Sequence, residues 1–272
     1  MKWQRQEALA RRVILMVELR DIDKIFNKNT VNESQLFDKF NLKIKKGDFV
    51  SIIGSNGSGK TTLLNLISGS VKPDNGGIYI NGENLTSTPE YKRARMIGRV
   101  YQNPAMGTVP GMTIFENLAI AENKGKRALF TPAIDKKKMQ KYKELVSSIG
   151  LGLEDKMNIN VELLSGGQRQ ALSLLMSTMT DIDLLLLDEH TAALDPKTAE
   201  VIMVLTDKIV KEKGITTLMV THNLRYAVEY GNRIIMMHDG QAIIDEEGER
   251  KAKLKVDDLL HTFNTISIEC GN

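Results

Sequence analysis

The sequence predicts an α/β fold with a parallel-sheet core, an antiparallel β layer wrapped against it and a mainly helical insertion. Three observations carry this. The apolar run at residues 49–53 leads into a Gly-rich loop and then an apolar-periodic helix at 62–68. From residue 183 onward strand-like and helix-like segments alternate, the pattern of units that lay helices over a parallel sheet. Between these blocks, residues 103–180 show helical spacing and few strand-like runs.

The elements follow in order. Residues 17–53 read as short alternating strands with polar turns, and residues 77–82 add another such piece. Helical spacing then marks 112–123, 136–149 and 168–180. A buried strand is expected at 183–187, a helix at 196–213, a strand at 215–221 and a helix at 224–230. Strands at 234–238 and 241–245 are joined by Asp239-Gly240, a favoured hairpin turn. Residues 1–15 are basic, hold the single Trp, and read as an N-terminal extension, either an amphipathic helix or, preferred, a disordered appendage. The main domain is expected over 16–250, with its helical subdomain at about 103–180 and a C-terminal helical tail at 251–272.

Bulk properties narrow the function. At 272 residues, 42% hydrophobic and 26% charged, the chain can bury one sizeable core. A net charge of +3 lacks the footprint of a dedicated nucleic-acid binder, so no nucleic-acid partner is expected. The one cysteine, Cys270, has no intrachain partner, which suits a reducing compartment. The longest apolar run, 13–17, falls far short of the ~18 to 20 residues that span a bilayer, so an intracellular location is expected. Lys136, Lys137, Lys138, Lys141 and Lys143, with Lys124, Lys126 and Arg127 before them, read as a solvated helix face because apolar residues interleave them.

Gly54-Ser55-Asn56-Gly57-Ser58-Gly59-Lys60-Thr61 fits the pattern of a phosphate-cradling loop, and the strand before it and the helix opening at Thr62 supply the required context. Glycines let backbone N–H groups turn toward phosphate oxygens, the helix N-terminus adds positive potential, and Lys60 supplies a full charge. Thr61 is placed to put its hydroxyl on Mg²⁺. The strand at 183–187 delivers Asp188 and Glu189 to its C-terminal edge, where open α/β sheets bind ligands. Asp188 is the expected Mg²⁺ partner and Glu189 the group that orients or deprotonates an attacking water.

Leu164-Ser165-Gly166-Gly167-Gln168, placed before a helix and upstream of the acidic pair, resembles the signature motif of the ABC ATPase family. Physically it is a second Gly-rich helix tip carrying a serine hydroxyl, suited to an anion. The resemblance spans roughly residues 17–244 and implies the P-loop ABC ATPase fold: a RecA-like core, an antiparallel β subdomain and an α-helical subdomain. It further implies that Ser165, Gly166, Gly167 and Gln168 serve the ATP held by a partner protomer, so that a dimer, homo- or heteromeric, is the complete unit. By the same resemblance Gln102 is the Q-loop glutamine that reaches Mg²⁺ and the water, Asp195 is the D-loop aspartate at the dimer contact, and His222 is the switch histidine on the γ-phosphate. Phe26 sits where the family stacks an aromatic ring on adenine, with core packing as the competing reading. Glu189, His222 and Gln102 are thus the expected catalytic residues.

The sequence departs from the common family pattern at His190, usually proline, and Ala192, usually serine. The run from Leu187 to Pro196 is similar to a subgroup of bacterial uptake systems, some proposed to import tryptophan or tyrosine. An importer subunit is the reading this favours, peripheral to the cytoplasmic face of the membrane, working with permease subunits and, indirectly, an extracellular solute-binding protein. The alternative is a non-transport ABC-type ATPase acting as a mechanical switch on nucleic acid or a ribosome. Such proteins usually carry a long coiled-coil insertion or tandem cassettes, and this chain has neither.

Overall fold

The computed structural model describes residues 14–125 and 134–269. The expectations for residues 1–13, for Lys126 and Arg127, and for Cys270 lie outside the described residues. Strand β1 (Leu15–Phe26) starts two residues before the alternation at Val17 becomes regular, and Met16 within it is buried. It pairs antiparallel with β2 (Ser34–Lys45). A register shift between Leu19 and Ile22, with Asp21 at φ 48°, is a bulge that keeps Ile22 turned to the core although the period-2 pattern slips. All six residues of β3 (Phe49–Gly54) are buried, so it reads as a continuous apolar run.

Helix α1 (Lys60–Ser68) follows the Gly-rich loop. Strands β4 (Asn75–Ile80) and β5 (Glu83–Asn84) return to the first sheet, giving the antiparallel order β2-β1-β4-β5. After the short α2 (Glu90–Arg93) comes β6 (Ile97–Val100), which pattern reading does not find. Four residues containing Gly98 and Arg99 carry no alternation; parallel pairing with a later strand defines them. Gly98 is needed there, because a Cβ would lie 2.6 Å from both the Ser177 carbonyl oxygen and Ile182.

The insertion contains α3 (Ile114–Glu122) and α4 (Met139–Ser147), each inside the span the periodicity suggests, and α5 (Gly166–Thr178), which starts and ends two residues earlier than it suggests. Capping explains two starts: Thr113 with Glu116, and Ser165 with Gln168, each form a reciprocal capping box. The chain re-enters the main sheet as β7 (Leu184–Asp188), α6 (Pro196–Lys213), β8 (Thr216–Val220), α7 (Leu224–Glu229), β9 (Arg233–His238) and β10 (Gln241–Glu247). The β9–β10 turn has φ 42° at Asp239 and 71° at Gly240, the signs a type I′ hairpin requires. Helices α8 (Glu249–Lys253) and α9 (Val256–Glu269) follow, and Leu259 and Phe263 of α9 join an apolar cluster with Ile53 and Ala227.

The second sheet runs β10-β9-β3-β8-β7-β6, parallel except for β10. The C-terminal ends of β3, β8, β7 and β6 therefore share one edge. The Gly-rich loop, His222, Asp188-Glu189 and Gln102 follow those four strands directly.

Arg93 is the largest fully buried side chain among the described residues. Its guanidinium donates to the carbonyls of Thr88, Leu66, Ile67, Leu85 and Thr86 at 2.6–3.3 Å, including two from the last turn of α1 that the helix leaves unpaired. An unsatisfied buried acceptor costs ~1 to 3 kcal/mol, so Arg93→Met should lower unfolding free energy by about 3 kcal/mol or more. Urea denaturation measures this, and a loss below about 1 kcal/mol would contradict the role assigned to the fork.

Candidate functional site

The loop between β3 and α1 presents Ser55, Asn56 and Gly57 to solvent, while Ser58, Gly59 and Lys60 are buried. Gly57 and Gly59 hold φ of 82° and 101°, turning the loop back on itself. No side chain caps α1 and its first turn holds no acidic residue, so its leading N–H groups have positive potential to offer. With Gly59 at the N-cap position, forgoing a side-chain cap costs about a few tenths of a kcal/mol. Complete burial of Leu63, Leu64, Leu66 and Ile67 is worth ~1.5 to 3 kcal/mol each and outweighs it. The hydroxyl of Ser58 is buried without a partner among the described residues. An anion with several acceptor oxygens fits this cradle.

Lys60 folds onto the loop, its Nζ donating to the carbonyls of Gly54 and Ser55 at 2.8 Å each. Burial lowers its pKa, while the fields of Glu189 and Asp188 oppose that. The Thr61 hydroxyl lies 3.3 Å from Asp188 Oδ1. A hydroxyl beside a carboxylate is the hard oxygen pair that suits Mg²⁺, so Thr61 and Asp188 are the side chains here that would hold it. Thr62 is half-buried in the first turn of α1.

Glu189 is clasped from two sides. His222 Nε2 lies 2.6 Å from its Oε1, and Gln102 Nε2 donates to its Oε2 at 3.2 Å. Its backbone sits at φ 48°, a left-handed conformation uncommon for a side chain of this kind, and its N–H is tied to the Val220 carbonyl. The turn after β7 thus swings Glu189 away from the strand direction while Asp188 stays paired with Val220. The loops that follow β6, β7 and β8 each contribute one member of the cluster.

The remaining expected residues lie elsewhere. Ser165 and Gln168 close their capping box, and the Gln168 amide also donates to the Leu151 carbonyl at 3.0 Å while its oxygen accepts from Lys156. Among the described residues, none of these bonds reaches the phosphate loop. A Cβ at Gly167 would sit 2.2 Å from Thr198 Cγ2, so any larger residue there has to displace that methyl, and Gly166 lies against Leu194. Asp195 caps α6 by accepting from Thr198 N at 3.0 Å, and hydrogen bonds from Thr198 lower its pKa. Phe26 ends β1 37% exposed, so it is not a core side chain; the Lys24 ammonium lies 5.3 Å from its ring centroid.

One residue that pattern reading missed is Arg99. From β6 it forms an ion pair with Asp188 at 3.2 Å and also donates to Asn65 and Ser68. No motif marks it, because its strand is too short to show a period. His190 is fully buried and points away from the cluster, its Nε2 3.2 Å from the Thr206 hydroxyl. That hydroxyl spends its proton on the Ile202 carbonyl, so His190 is the donor of the pair.

A family profile described as ABC transporter matches residues 37–192. The chain is 46% identical over 248 residues to a tyrosine transport ATP-binding protein of Clostridioides difficile (strain R20291), covering 91% of this chain and 98% of that protein. It is 30% identical over 257 residues to a xylose/arabinose import ATP-binding protein of Sulfolobus acidocaldarius, covering 94% and 98%. Among solved structures, an ATP-binding cassette captured as a dimer in a post-hydrolysis state with ADP and Pi matches at TM-score 0.73 and 32% identity, over 85% of this chain and 98% of that one.

Burial lowers the His190 pKa to about 4, against ~6.5 in an unfolded chain. The unfolded state therefore binds the extra proton first as pH falls. The stability that neutral His190 contributes is complete above pH ~6.5 and is lost between there and about 4, by roughly 3 kcal/mol. Denaturation across that window should show a smaller pH slope for His190→Gln than for wild type, and equal slopes would refute this.

Proposed function

This chain belongs to the ABC transporter family and has the fold of its ATP-binding cassettes, and from that premise we propose that its ATPase activity drives an import system for a small solute. The observation that carries the catalytic reading is the clasp on Glu189 by Gln102 and His222 beside the Thr61–Asp188 pair.

Lys60 exchanges its loop carbonyls for phosphate oxygens, and the uncapped start of α1 with Ser58 completes the cradle. Thr61 and Asp188 would hold Mg²⁺, which would supply positive charge against the phosphates. Glu189 takes the proton of an in-line water; Gln102 orients that water, and His222 turns toward the γ-phosphate. Phe26, exposed at the end of β1, stacks on the adenine.

Two chains meet head to tail, as a homodimer or with a related subunit, so that Ser165, Gly166 and Gly167 of one face the triphosphate held by the other. Gln168 supports that tip through its capping box, and Asp195 lies at the same contact. A dimeric cassette among the structural relatives supports this arrangement. The helical subdomain, about 103–180, moves against the core and passes the motion to membrane permease subunits. A cavity of ≈350 Å³ walled by Arg99, Tyr101, Ile120 and Met176 is the seat for a permease helix, and Met106, Val109 and Ile120 expose apolar surface in the same insertion. In this reading the subunit is peripheral to the cytoplasmic face of the membrane, beside the permease it drives. No helix among the described residues is long and apolar enough to cross a membrane. Tyrosine or a related aromatic amino acid, delivered by an extracellular solute-binding protein, is the cargo that the 46% identical relative favours.

Removing a positioned base costs about 10² to 10⁴ in rate while leaving binding intact. Glu189→Gln should therefore bind ATP, turn it over slowly and accumulate as a dimer in light scattering; turnover at the wild-type rate removes Glu189 from the role of base. Lys60→Ala should instead lose nucleotide affinity by calorimetry, and unchanged binding there would sink the cradle.

A further inference from the structure

We propose that Arg99 is a resident counter-cation for Asp188 that keeps a divalent cation from binding ahead of the nucleotide. The inference rests on reading Asp188 as the metal partner.

The guanidinium is fixed by geometry. Its Nη2 lies 3.2 Å from Asp188 Oδ2 and 2.7 Å from Asn65 Oδ1, and its Nη1 donates to Ser68 and Ser70 at 3.2 and 3.4 Å. Its central carbon sits 4.6 Å from the Tyr101 ring centroid, and the Arg99 carbonyl accepts from the Ser177 hydroxyl at 2.8 Å. The two partners of the ion pair are only 11% and 12% exposed, so solvent screens the pair little. Asn65 and Ser68 belong to α1, which ties Arg99 to the helix of the phosphate loop.

The charges at the sheet edge then balance. Asp188 and Glu189 face Lys60 and Arg99, and because Lys60 is turned onto the loop carbonyls, Arg99 is the cation in contact with Asp188. Among the described residues no group of three or more His, Cys, Asp or Glu side chains converges as a metal site. A divalent cation arriving alone finds the Thr61 hydroxyl and one carboxylate whose charge is already half committed. A polyphosphate supplies both the missing oxygens and the missing negative charge, so the metal enters with it.

A purely structural Arg99 would leave metal binding without nucleotide unchanged. Mn²⁺ serves as the probe, its free concentration read by electron paramagnetic resonance on the full chain without nucleotide. Arg99→Gln and Arg99→Met, either of which suffices, should bind Mn²⁺ at least about tenfold more tightly than wild type, because both remove the charge. Arg99→Lys should stay near wild type. The proposal is overturned if the neutral variants, confirmed folded by circular dichroism, bind no more tightly, or if Arg99→Lys matches them. It is equally overturned if adding Asp188→Asn to Arg99→Gln leaves the tight binding in place. A separate measurement tests the underlying reading: Asp188→Asn in the wild-type background should weaken the binding of Mn²⁺ in the presence of ATP, and no change there rejects Asp188 as metal partner whatever Arg99 does.

Discussion

Parallel pairing of β3, β8, β7 and β6 in close register is the constraint on which the site depends. Ile52 and Asp188 both pair with Val220, and Leu187 pairs with Val100. Four chain segments distant in sequence therefore emerge at one edge with their first loop residues side by side. Strands β3, β7 and β8 are buried along their whole length, β3 and β7 mostly with apolar side chains, so a one-residue slip would send a different face into each layer of the core. The precision of the Gln102–Glu189–His222 cluster is thus inherited from hydrophobic packing well beneath it.

Electrostatics refine what the sheet positions. Lys60 is buried yet stays close to two carboxylates, and burial and field act on it in opposite senses. Its two loop-carbonyl partners are neutral, so a lysine that leaves them abandons no ion pair. Arg99 behaves differently: it is locked by Asn65, Ser68 and Tyr101 and pairs directly with Asp188. One cation is therefore free to follow the ligand and the other is part of the wall. Glu189, with φ 48° and both oxygens engaged, is the point where backbone strain and hydrogen bonding are concentrated.

The signature segment has two layers of explanation. Gly167 packs closely against the Thr198 methyl, and Ser165 with Gln168 builds the helix start. These requirements are internal to one chain and would exist without any partner. The exposed face of the same helix tip is what the dimer reading uses. His190, fully buried, is accommodated because the Thr206 hydroxyl on α6 accepts its hydrogen bond.

Local pattern by itself determined the phosphate loop, the strand that ends in Asp188-Glu189, the helix over Pro196–Lys213 and the β9–β10 turn, because each rests on neighbours in sequence: a glycine spacing, an apolar run, a Pro and Asp start, a turn dipeptide. The resemblance of Leu164–Gln168 added Gln102 and His222, which no local chemistry distinguishes from surface residues. Only the tertiary structure decided that β6 is a strand, that Arg99 meets Asp188, that His190 is buried and that Phe26 is not. The first two depend on contacts across more than eighty residues and the third on Thr206, 16 residues on in another element, and such contacts leave no period in the sequence. A buried arginine or histidine is recognisable only by the partners that satisfy it, and those partners come together only when the chain folds.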